Sequence, residues 1–213
     1  MSGLRPQVRA LVFSAVRATP SASRREVGRR NAARLGLAAL VALAEFFALG
    51  GSVYGARSVG LTLFSAAGWG LVALAITRLS LVRGPSMLGR PTRALLTMAV
   101  ACAPIVFCWA AATAGAQGAS ADWGLHARCL GATILLSAPP FVAFLYARRH
   151  SDPVHPAALG AALGAASGAW GGALIDLHCP VTHVAHLGAA HVMPIALFAL
   201  AGAALGKRVL SLR

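Results

Sequence analysis

Six long apolar runs, separated by short polar stretches, organise most of the chain. They are Leu35–Tyr54, Ser58–Thr77, Ala94–Ala114, Cys129–Tyr146, Pro156–Asp176 and Val184–Gly206. Each is close to the ~20 residues that a helix needs to cross the hydrocarbon core of a bilayer. A backbone in lipid must satisfy its own hydrogen bonds, so each run predicts a helix. The predicted fold is an all-α membrane protein: a six-transmembrane-helix bundle over residues 35–213, preceded by a short segment, residues 1–34. That segment is too polar to span and too short to form a domain. Within it Leu4, Val8, Leu11, Val12 and Ala15 fall on one helical face. Pro20 breaks this pattern. Residues 1–34 therefore read as an amphipathic helix followed by a basic linker, Ser21–Arg34.

Composition supports the membrane class. Hydrophobic residues make up 58% of the chain and charged residues 11%, against about 25% charged in a soluble domain. Too few polar side chains exist to cover a water-exposed surface, and a disordered chain would be poor in apolar residues. The net charge is +14, which in a soluble protein would suggest nucleic acid. Here its distribution matters more. The segment before the first span, the second-to-third and fourth-to-fifth loops and the C-terminus hold 17 of the 19 Lys and Arg residues, leaving only Arg57 and Arg128 for the other loops. Cytoplasmic loops collect positive charge, so both termini are expected in the cytoplasm. The charge then reports topology and membrane lipids rather than direct contact with nucleic acid. The amphipathic face would lie on anionic lipid or dock a cytoplasmic partner.

Several features concern packing. Gly160, Gly164, Gly168 and Gly172 recur every four residues in the fifth run, a groove that lets another backbone approach closely. Packing within one chain is the expected use, and a homodimer the other. Glu45 lies in mid-span, where a carboxylate is costly and marks a candidate site. Its bland role is a hydrogen bond to Thr62 or Trp69. Pro139-Pro140 should free carbonyls in the fourth helix, with Ser137 placed to re-satisfy one. Gly202-Ala-Ala-Leu-Gly206-Lys207 falls short of a phosphate loop by one residue and lacks the following Ser or Thr.

Candidate chemistry gathers in the last external loop: Asp176, His178, Cys179, His183 and His186, with His191 beyond. Cys129, opening the fourth run after His126 and Arg128, shares that side. Cys102 and Cys108, six residues apart in the third run, should face different ways. Cys129 and Cys179 would form a disulfide in an oxidising compartment. Alternatively, the Cys and His side chains would take zinc or another soft metal. The sequence requires no cofactor. A haem pair from His186 and His191 is disfavoured, because a spacing of five separates them on an α-helix.

Arg128-Cys129-Leu130, Ser137-Ala138-Pro139-Pro140, Leu177-His178-Cys179-Pro180, and His191-Val192-Met193-Pro194 through Leu205-Gly206-Lys207-Arg208 carry a resemblance to the NrsF-type membrane anti-sigma factors. Ala18-Thr19-Pro20 before an Arg-rich run is similar too. The resemblance covers nearly the whole chain. It implies a regulator of the bacterial inner membrane, not an enzyme, whose N-terminal segment holds an extracytoplasmic-function sigma factor inactive. It also implies that Cys129 and Cys179 take part in sensing redox or heavy-metal stress. The richness in histidine around Cys179 departs from the family. A small transporter or metal-permeation protein is the other reading. It would need a polar path through the bundle, and Glu45 is almost the only such residue at mid-depth.

Overall fold

The computed structural model describes residues 24–52, 58–81, 90–114, 122–149 and 154–211. Leu4, Val8, Leu11, Val12 and Ala15, the expected docking face, lie outside the described residues. The chain divides into two compact units, Met1–Ala33 and Arg34–Arg213. The described regular structure is entirely helical: α1 (Arg24–Ala48), α2 (Val59–Leu81), α3 (Thr92–Thr113), α4 (Trp123–Ala147), α5 (Pro156–His178) and α6 (Val184–Val209). All six are long and apolar enough to cross a membrane, which fits a multi-pass membrane protein.

The helix ends follow local chemistry more than hydropathy. Helix α1 starts at Arg24, so residues 24–34 are helical where a linker was expected. Glu26 complements the N-terminal dipole and pairs with Arg30 one turn on. The same helix stops at Ala48, six residues before the apolar run does. Gly50 and Gly51 take φ of +107° and +67°, and their amides bond back to Phe47 O and Phe46 O at 3.0 Å. This is the paired termination that a glycine in the left-handed region allows. Helix α4 begins earlier than its apolar run, because the Asp122 carboxylate accepts from Leu125 N at 2.6 Å and caps it. Cys129 therefore sits nearly two turns inside α4 instead of opening it.

Helix α5 is the axis of the second unit. It packs against α2, α3, α4 and α6, and seventeen of its residues are buried, mostly Ala and Gly. Lacking bulky side chains, it brings its neighbours within backbone contact. A Cβ at Gly160 would collide with Gly202 O, one at Gly164 with Phe198 O, and one at Gly168 with the Ile195 backbone. Gly202 and Gly206 reciprocate against the backbone of Gly160 and Pro156. Positions four apart drift by about 40° per step around a helix of 3.6 residues per turn. By Gly172 the stripe has accordingly turned from α6 to Trp69 of α2. The groove is thus filled from within the chain. Large apolar side chains such as Leu37, Leu40, Phe47, Leu71, Val100 and Leu200 point outward.

Two local expectations change. Ser137 Oγ donates to Thr133 O at 2.7 Å, two residues before the first of the carbonyls that Pro139 and Pro140 release, those of Leu135 and Leu136. Glu45 does not bond Thr62 or Trp69: Thr62 Oγ1 donates to Ser58 O, while Glu45 Oε2 and Trp69 Nε1 are buried with no hydrogen-bond partner among the described residues.

Candidate functional site

Three segments meet at one end of the bundle: the second turn of α4, the stretch after α5, and the start of α6. Cys179 follows α5 directly, its amide bonding to Ile175 O at 2.7 Å, and Pro180 prevents the helix from continuing. His178 is anchored to the end of α1, with Nδ1 2.6 Å from Gly51 O. The glycine pair that ends α1 thus also positions the Cys179 segment.

The first turns of α6 are unusual. Val184–His186 is α-helical, Leu187–Val192 is π-helical, and Met193–Val209 is α-helical again. Met193 N bonds to Gly188 O, five residues back. Pro194 lacks an amide hydrogen and crowds the carbonyl four residues before it, so a widened turn just ahead relieves that clash. In a π-helix, residues five apart come into register. This overturns the expected separation of His186 and His191: their ring centroids lie 5.2 Å apart. His126 packs edge-on against His186 at 4.6 Å, with its Nδ1 2.9 Å from Asp122 O.

Cys129 Sγ lies 3.4 Å from Cys179 Sγ, and Cys179 Sγ lies 3.2 Å from His186 Nε2. The two sulfurs are not bonded to each other. One ligand atom from each of Cys129, Cys179, His186 and His191 lies within 4.8 Å of all the others, and all four residues are buried. Phe46, Leu136, Ile175 and Ala190 enclose the cysteines in an apolar cluster. The Cys179 thiol is held above its usual range, first by its hydrogen bond with Cys129 and then by burial, while His186 and His191 pull the other way. His186 Nδ1 and both ring nitrogens of His191 have no hydrogen-bond partner among the described residues.

The expected ligand set is therefore partly regrouped. Of Asp176, His178, Cys179, His183, His186 and His191, three join the cluster. His178 is committed to the Gly51 carbonyl, His183 is exposed, and Asp176 is buried outside the group. Cys129, expected with Cys179 either in a disulfide or in metal chemistry, supplies the fourth ligand. A metal ion fits the donor set, because two sulfurs and two imidazoles suit zinc. Cys102 is buried and directed at Ala165 O, whereas Cys108 is exposed, so the two do face different ways.

No curated protein and no solved structure matches the chain. The family described as negative regulator of sigma F matches residues 15–211. That match runs through α1 to α6 and takes in both cysteines and both site histidines, so the chain belongs to the NrsF family of negative regulators of sigma F.

Proposed function

We propose that this chain is an inner-membrane anti-sigma factor with both termini in the cytoplasm. In this reading residues 1–34 hold an extracytoplasmic-function sigma factor, using the apolar face of Leu4, Val8, Leu11, Val12 and Ala15. The sigma factor is released when redox or heavy-metal stress changes the bonding of Cys129 and Cys179 at the external face. The observation that carries this reading is the pair itself: two buried thiols 3.4 Å apart in a family of negative regulators of a sigma factor.

A signal must bias a two-state element felt at both ends. Helix α4 offers one, because it carries Cys129 in its second turn and receives Arg34 Nη1 on Tyr146 O, at 3.5 Å, near its other end. Arg34 adjoins the N-terminal segment. Arg148, just after α4, reaches Leu81 O at 3.3 Å, so movement of α4 would also reach α2. Family membership favours regulation over transport.

Deleting Met1–Pro20 should leave an inserted protein that no longer represses the sigma target promoter. Leu11→Glu should weaken capture more than Arg5→Ala. Full repression by the deleted form would refute the role of the segment.

A further inference from the structure

We infer that Cys129, Cys179, His186 and His191 form a buried four-ligand site for a zinc-class divalent ion, and that the π-helical turn of α6 exists to complete it. The inference deepens the sensing reading above and rests on it only for its regulatory meaning.

Three observations carry it. The first is geometry. A tetrahedral zinc site with ordinary bond lengths places its sulfurs about 3.8 Å apart and sulfur and nitrogen about 3.6 Å apart. The observed separations are 3.4 Å for Cys129 to Cys179 and 3.2 Å for Cys179 to His186. Opening these two pairs by a few tenths of an ångström, and drawing in the wider ones, which reach no more than 4.8 Å, would admit the ion. The second is polarity. His191 is fully buried, yet neither ring nitrogen has a hydrogen-bond partner among the described residues. Leaving a buried polar group unsatisfied is destabilising. A disulfide would use only the sulfurs and leave His191 as it is, whereas a metal ion gives it a bond. The third is backbone. π-Helical turns occur frequently at functional sites, and this one spans Leu187–Val192, bringing two histidines five residues apart onto one side.

The ligand class follows from charge and softness. Binding displaces one proton from each thiol, and two thiolates with two neutral imidazoles balance a divalent cation. The closed site is then neutral overall, as its apolar surroundings require. Thiolate and imidazole donors select zinc or cadmium over magnesium or calcium. Four protein ligands fill a tetrahedral shell and leave no open position for substrate, so the site suits binding and sensing rather than catalysis.

The test is titration of the reduced, metal-stripped, full-length protein in detergent with Co2+, read by visible absorption. The expected result is one Co2+ per chain, with tetrahedral d–d bands and thiolate-to-metal charge transfer, displaced by Zn2+ or Cd2+. His191→Ala should weaken binding by more than the roughly 100-fold that loss of an outer partner can cost. His191→Cys should retain binding with stronger charge transfer, which guards against mere misfolding. His183→Ala should bind like the parent. Absence of charge transfer, or parental affinity in His191→Ala, would overturn the inference. A promoter assay separates the two readings. Loss of induction in Cys129→Ser without any metal binding leaves sensing intact and removes the metal site. Tight metal binding with unaltered induction in every ligand variant keeps the site and removes its role in sensing.

Discussion

The two ends of the α5–α6 pair are built on opposite principles. Toward the Lys207–Arg208 end, Gly160 and Gly164 of α5 meet Gly202 and Phe198 of α6 backbone to backbone. The contacts between the two helices there are main chain to main chain, and the Ser167 hydroxyl beside them is already bonded to Gly164 O within α5. Toward the Cys179 end, α6 loses its α-helical register, and buried side-chain nitrogens lack partners. Close packing fixes one arrangement, because interiors at crystal-like density tolerate little change in volume. A partly satisfied polar cluster has more than one favourable state, set by what bonds its free atoms. The glycine seam is thus the fulcrum and the Cys/His end the part that can change.

The largest effect should come from breaking the seam. Gly164→Ala puts a methyl into Phe198 O, a backbone atom that cannot rotate away. It should destabilise the bundle by about 3 kcal/mol, the upper range for overpacking, measured by unfolding in SDS. Gly131→Ala, with nothing near its Cβ, should change stability by no more than about 1 kcal/mol. Equal effects at both positions would remove the distinction between seam and surface.

A smaller effect on stability, with a large one on the site, is expected from Pro194→Ala, which removes the ring that follows the π-helical turn. Restoring the amide hydrogen there lets the turn close as an α-helix, in which residues five apart lie about 140° around the axis, so the two histidines separate. The variant should unfold within about 1 kcal/mol of the parent, since π-helical turns carry no stability advantage, while Co2+ binding is lost. Retained binding would show that the turn does not build the site.

Much of this architecture is legible in the sequence. Each of the six apolar runs lies largely within one of the six helices, and Gly160, Gly164 and Gly168 do receive α6. The ends were misread where hydropathy outran capping chemistry. Tyr54 is apolar enough to extend α1, but Gly50-Gly51 ends it; Asp122 starts α4 two turns before the polar residues His126 and Arg128 give way to an apolar run. Cys129 and Cys179 were readable as a pair because the charge distribution predicts the same side for both. His191 was readable as a candidate ligand beside the other histidines of that stretch, but its pairing with His186 was not, since a spacing of five separates them on an α-helix. Only Pro194, three residues on, hints that the helix departs from α there. Glu45 was readable as a costly mid-span carboxylate, a candidate site or a hydrogen-bonded packing group, but its Oε2 has no partner among the described residues.

The central claim is that the site at Cys129 and Cys179 acts as one unit on the hold over the sigma factor. The most direct test is a double-mutant cycle on induction of the sigma target promoter by cadmium and by oxidant, with Cys102→Ala and Cys108→Ala as controls. The account predicts the same loss of induction in Cys129→Ser, Cys179→Ser and the double variant, because removing either partner already abolishes the interaction, and near-parental induction in the controls. Additive defects in the double variant, or induction of the double variant at the parental level, would contradict it.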